Sequence, residues 1–150
     1  MKCAEMIESE TPKVSAVAQA NNEVRLPMGI LGFEQIKDYV LLVNPEEEPF
    51  AWLQVKANAS LAFVVVDPFL VMPNYQPDIP EADVEFLGLR NTSDALLLNI
   101  VTIHGPHRAT INLKGPIVIN RHTHIGKQII IANAVDYSVQ HPLPVAGSIE

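Results

Sequence analysis

Ala95-Leu-Leu-Leu-Asn-Ile-Val-Thr-Ile-His-Gly-Pro-His-Arg-Ala-Thr-Ile-Asn-Leu-Lys-Gly-Pro-Ile-Val-Ile-Asn120 is the stretch that decides the fold. It is dense in leucine and β-branched residues, and Gly105-Pro106 and Gly115-Pro116 cut it into short runs. Short apolar runs bounded by Gly and Pro are strand signals, because the branched side chains suit a pleated surface while Gly and Pro interrupt it. The reading is three strands, from Ala95 to His104, Ala109 to Leu113 and Pro116 to Asn120, with a fourth from Lys127 to Ala132. Working towards the N-terminus, Leu61 to Val66, Phe50 to Val55 and Tyr39 to Val43 repeat the pattern, and Val24 and Leu26 alternate with polar neighbours as a first strand.

Pro68, Pro73, Pro77 and Pro80 fall within one short segment. Proline lacks a backbone donor, so an extended connection or edge strand is expected there. The segment from Pro80 to Leu87 reads as a helix: Pro80 suits a first turn, Glu81 and Asp83 complement the positive end of the helix dipole, and Gly88 can take the left-handed cap. The fold class is therefore mainly β. We expect a single barrel-like or sandwich domain of about seven to eight short strands with one or two short helices. Residues 22–140 form that domain, residues 1–21 read as a mobile N-terminal tail, and residues 141–150 as a flexible C-terminal tail.

A chain of 150 residues with 48% hydrophobic and 18% charged residues has a globular composition and can build a core without disulfide or metal. No apolar run approaches the roughly 20 residues that span a bilayer. Glu5, Glu8 and Glu10 interrupt any signal-peptide core, and the single cysteine, Cys3, cannot form an internal disulfide. These features point to a cytoplasmic protein without membrane contact.

The net charge of −7 would repel phosphate and speed encounter with a basic protein. The charge is uneven: residues 1–94 hold fifteen acids and six bases, and no Asp or Glu occurs from Ala95 to Val135. Buried strands account for such a gap, because they exclude charge. A neutral-to-basic face opposite an acidic one is the second reading.

Two histidine pairs, His104/His107 and His122/His124, raise a metal site. Histidines two apart on a strand share a face, but no acid lies nearby in sequence to complete a ligand set, and both pairs adjoin turn residues. No metal and no cofactor are expected. No carboxylate pair, oriented nucleophile or phosphate loop assembles, so an enzyme is not expected. Arg108, Lys114, Arg121 and Lys127 lack interleaved aromatics to stack on bases, so direct nucleic-acid binding is not expected either. An oligonucleotide-binding barrel and a metal-dependent enzyme remain the alternatives.

Acidic groups are the better lead to a partner. Glu46, Glu47 and Glu48 sit in a proline-flanked loop, and Glu81, Asp83 and Glu85 on the expected helix. Phe69, Met72 and Tyr75 lie in the proline-rich segment, where they would supply apolar anchors or, equally, cover one end of the barrel.

Four motifs then fall in one order. Gly29-Ile-Leu-Gly-Phe-Glu34 resembles a GLPGFE-type segment, so that Gly32, Phe33 and Glu34 are motif positions. Pro49-Phe-Ala-Trp-Leu-Gln54 resembles a PF..LQ strand. Leu61-Ala-Phe-Val-Val-Val-Asp67-Pro68, followed by Pro73-Asn-Tyr75, resembles an LAF.V.DP…P.Y stretch. Asn112-Leu113-Lys-Gly-Pro116-Ile-Val-Ile-Asn120 with Gly126-Lys-Gln128 resembles NL.APIVIN…G.Q, with Gly115 where alanine is usual. Together, over roughly residues 22–137, the chain resembles the flagellar assembly factor FliW family. The resemblance implies a small, mainly β cytoplasmic protein that binds the translational repressor CsrA and stops it silencing flagellin mRNA. It also implies binding of flagellin, which competes by occupying the protein. On this view the acidic loop and helix steer CsrA and apolar groups near Tyr75 complete the contact; the charge asymmetry alone suggests the acid-free half for flagellin, with a surface shared with CsrA as the alternative.

Overall fold

The computed structural model describes residues 22–143. The N-terminal tail and residues 144–150 of the expected C-terminal tail lie outside them. Strands β1 (Glu23–Arg25), β2 (Asp38–Val43), β3 (Phe50–Val55), β4 (Ala62–Val66), β5 (Ala95–Gly105), β6 (Arg108–Ile111), β7 (Ile117–Asn120), β8 (Gly126–Gln128) and β9 (His141–Leu143) make one antiparallel nine-stranded sheet. Two short helices, α1 (Pro68–Val71) and α2 (Glu81–Leu87), lie between β4 and β5.

β5 organises the molecule. Its first half pairs with β7, from Ala95↔Asn120 to Leu98↔Ile117, and its second half pairs with β6, from Val101↔Ile111 onward. It therefore borders two layers, and its faces serve two cores. Leu96 and Leu98 enter one core with Tyr39, Leu53 and Val65; Leu97 and Val101 enter the other with Tyr75, Leu87 and Ile111. β7 does the same, with Ile117 and Ile119 on one side and Val118 on the other. A strand buried on both faces reads as continuous apolar sequence. Double-sided burial of β7 and the first half of β5 thus accounts for part of the acid-free stretch.

The first core lies inside a ring formed by β1 to β5 and β7. One parallel bridge, Arg25↔Ile125, brings the ends of the ring together, with the Arg25 amide donating to the His124 carbonyl at 3.0 Å. The ladder is otherwise not continuous at this seam, so the domain is barrel-like without a fully closed sheet. The second core lies under α1, α2 and the segment that follows β8.

Three local features differ from the sequence reading. Pro68–Val71 is a helical turn where an extended connection was expected, because the Asp67 side chain caps it by accepting from the Phe69 amide at 2.9 Å. β8 is only three residues long. Beyond it Ile129 and Ile131 leave the ladder to enter the core, their amides bonding to the Pro116 and Lys114 carbonyls. His141–Leu143, assigned to the C-terminal tail, is instead the edge strand β9, paired with β6. Pro142 is tolerated there because an edge strand leaves one side of its backbone unpaired.

α2 ends as expected, with Gly88 in the left-handed region at φ 68°. Its last turn is tied to the sheet by Asn120, whose Nδ2 donates to the Leu87 carbonyl at 2.8 Å while its Oδ1 accepts from the His122 and Thr123 amides. Asn120 is buried, so its removal leaves those groups unpaired in a dry site. Asn120→Ala is expected to cost about 2–3 kcal/mol, read as a lower denaturant midpoint with an unchanged slope.

Candidate protein-docking surfaces

The structure separates the anticipated partner residues into two groups. Glu46 and Glu47 lie in a 3-10 turn between β2 and β3 (Pro45–Glu47), opened by Asn44, whose side chain accepts from the Glu46 amide; Glu48 follows it. All three glutamates are exposed and make no ion pair within the described residues. Glu47 Oε1 accepts from Trp52 Nε1 at 3.0 Å, so the turn is fastened to an exposed indole on β3. Sequence reasoning missed Trp52 as a surface group. The available signal was the run of consecutive apolar residues on β2, β3 and β4, which exceeds what one buried face needs.

The second group surrounds an apolar groove of about 440 Å³ between α1, α2 and β5, lined by Phe69, Pro77, Ile79, Val84, Leu89 and Leu97. Phe69 is half-exposed, and Glu81 and Glu85 project from α2 into solvent. Asp83 does not join them. It is largely buried and pairs with Lys127 at 2.6 Å, and the same ammonium sits 5.4 Å from the centre of the Phe86 ring. The acidic helix is therefore a two-glutamate patch. Asp83 and Lys127 lie far apart in sequence, so nothing local could have revealed their pairing.

Tyr75 is likewise removed from any surface. It is buried, packs edge-on against Tyr137 and beside Phe69, and its hydroxyl donates to the Leu113 carbonyl at 2.5 Å. Burial pushes its pKa up to about 12, Tyr137 adding to the rise and the Asn99 side chain opposing it. The expectation of Tyr75 as an exposed anchor is corrected: this ring belongs to the core, while Phe69 and Leu70 beside it reach solvent.

The other motif positions converge into a structural brace. Gln128 Oε1 accepts from the Leu31 amide and its Nε2 donates to the Gly115 carbonyl, tying the Gly29–Glu34 loop to the turn before β7. Asn112 Oδ1 accepts from the Lys114 and Gly115 amides, which closes that turn ahead of Pro116, and Leu113 is fully buried. Gly29 and Gly32 take positive φ values of 70° and 93°. The Glu34 carboxylate accepts from the Gly32 amide, and backbone hydrogen bonds from Gly32 and from its own residue, then Lys37, hold it below the usual carboxylate range. Phe33 packs edge-on against Phe63 over this loop. Asp67 and Pro68 stop β4 and start α1.

Three of the histidines have separate partners. His104 Nε2 bonds Thr110, His122 Nε2 meets Asp94 at 3.0 Å, and His124 Nδ1 meets the Glu23 carbonyl. His122 and His124 lie in a turn rather than a strand, with His124 at φ 65°, so the same-face argument for chelation does not apply. Asp94 is held below the usual carboxylate range first by the Arg90 amide, then by His122 and the Asn91 amide.

The arrangement defines a small mainly β domain whose named positions brace the fold and whose exposed groups offer contact surfaces. The FliW protein family model matches residues 8–143, and the chain belongs to the FliW family. The flagellar assembly factor FliW of Leptospira interrogans serogroup Icterohaemorrhagiae serovar Lai (strain 56601) is 37% identical over 147 residues, covering 96% of this chain and 97% of its own. That of Bacillus subtilis (strain 168) is 36% identical over 116 residues, covering 77% and 80%. A crystal structure of the flagellar assembly factor FliW superposes with a TM-score of 0.73 at 36% identity, covering 81% of this chain and 85% of the other.

Proposed function

We propose that this protein is a partner switch in flagellar assembly. It binds the translational repressor CsrA, relieves repression of flagellin synthesis, and binds flagellin as the competing partner. It acts by protein binding in the cytoplasm, without catalysis, cofactor, membrane contact or direct contact with nucleic acid. The observation that carries this reading is family membership across nearly the whole chain. The charge supports it: an RNA-binding repressor carries basic surface, and a partner with net charge −7 meets it with complementary sign.

The unpaired glutamates of the β2–β3 turn supply the steering field. In stopped-flow mixing with CsrA, the triple variant E46Q/E47Q/E48Q is expected to associate several-fold more slowly, with a flatter salt dependence. Glutamine keeps a side-chain oxygen for Trp52, so the turn retains its anchor. An association rate equal to wild type at every salt concentration removes this turn from the account.

A further inference from the structure

The outer face of β2, β3 and β4 is apolar where a solvent-facing sheet is ordinarily polar. On β2, Tyr39 and Leu41 point into the ring, so Val40 and Leu42 face outward; on β3, Leu53 and Val55 point inward, so Trp52 and Gln54 face outward. The register aligns these groups into two rows, Val40–Gln54–Ala62 and Leu42–Trp52–Val64. Val40, Leu42 and Trp52 belong to neither core, and Trp52 is 39% exposed. Ile103, two positions beyond Val101 on β5, extends the patch and is 62% exposed. The second core reaches this face at Phe50, Val66 and Val64, the last of these closing the Trp52 row. A contiguous apolar patch of this kind marks a contact site.

We propose that this face, centred on Trp52 and rimmed by Glu46, Glu47 and Glu48, is the docking surface for a basic protein partner that presents apolar side chains. The inference rests on the partner-switch reading and assigns its first contact. Three observations select the occupant. The glutamates at the turn end of the patch make no ion pair within the described residues, whereas at the opposite end Arg25 pairs with Asp38 at 2.9 Å and Lys56 with Glu23 at 3.0 Å. A basic partner therefore finds carboxylates that no cation of the described residues neutralises. A second copy of this chain would bring the same net charge of −7 against itself, which opposes self-association. Trp52 is held in place by the Glu47 hydrogen bond, so little side-chain freedom is lost on contact, and a fixed tryptophan is the side chain that most often dominates an interface.

The test is calorimetric titration of purified CsrA into wild type, Trp52→Ala and Phe69→Ala, with thermal melts of each and sedimentation of the proteins alone. Trp52 lies outside both cores, so its alanine variant is expected to melt near wild type; Leu42→Gln gives a second variant on the same face. The expected result is at least a tenfold weaker affinity for Trp52→Ala and a clear loss for Leu42→Gln, with Phe69→Ala unchanged. CsrA binding to wild type that survives both face variants overturns this docking surface while leaving the partner switch intact. Absence of binding to folded wild type overturns both. A wild-type dimer that Trp52→Ala dissolves assigns the face to self-association and overturns the proposed occupant.

Discussion

Gly29→Ala is expected to destabilise the protein by about 2–5 kcal/mol, the sum of left-handed backbone strain and overpacking in a tight loop. Gly29 has φ 70°, and a Cβ there would lie 2.5 Å from Glu34 Cα and 2.6 Å from the Glu34 carbonyl oxygen. Both opposing atoms are backbone, so no side chain can swing away. The loop would have to open, and with it would go the Leu31 amide bond to Gln128 that joins it to the Gly115 turn. For a domain of this size the loss corresponds to a drop of roughly 5–15 °C in Tm. Gly32→Ala separates the two causes: Gly32 has φ 93° but nothing within 4 Å of its Cβ position. It is expected to show the backbone strain alone, about 1–2 kcal/mol. Equal losses at the two positions, measured by thermal melting, would contradict the packing account.

The second large effect is at Tyr75. Tyr75→Ala is expected to cost about 3–5 kcal/mol, because a buried aromatic ring leaves a cavity between Phe69 and Tyr137. Tyr75→Phe keeps the ring but leaves the Leu113 carbonyl without its hydroxyl donor, at about 1–3 kcal/mol. The two variants also differ from wild type in alkali. The folded hydroxyl holds its proton up to about pH 12, above the ordinary 10.0. The unfolded chain therefore loses a proton that the folded chain retains, and stability falls as pH rises from 10 towards 12. Burial raises Tyr39 in the same direction, so wild type carries both contributions. Tyr75→Phe is expected to show a shallower loss of stability across that window. A pH profile parallel to wild type would mean that the Tyr75 hydroxyl is not held in the core.

Much of this fold is written locally. The runs at Phe50–Val55 and Ala62–Val66 combine β-branched and aromatic residues with turn signals at both ends, and each forms the strand anticipated for it. The helix before Gly88 follows from capping chemistry alone. What stayed hidden depends on distant partners. β9 holds a proline and looks like tail until β6 is placed beside it. Tyr75, among prolines and polar residues, reads as exposed until the Leu113 carbonyl arrives from a position 38 residues away. Asp83 reads as a solvated acid until Lys127 meets it.

The candidate surface was half legible for the same reason. The acids of the β2–β3 turn are evident as a run, and they are exposed. Tyr75, expected as an apolar anchor, is buried, and Trp52 beside the acidic turn is exposed instead, because only the pairing register reveals which side of β3 each residue faces. The family motifs are largely the brace formed by Gln128, Asn112 and the Gly29–Glu34 loop. Shared motifs of this kind report a shared fold.

The central claim is a switch between two protein partners, and calorimetric titration with CsrA, repeated with flagellin already bound, tests it most directly. The account predicts saturable CsrA binding to the free protein that flagellin abolishes. Failure of the folded protein to bind CsrA, or CsrA affinity that is unaltered when flagellin is bound, would contradict it.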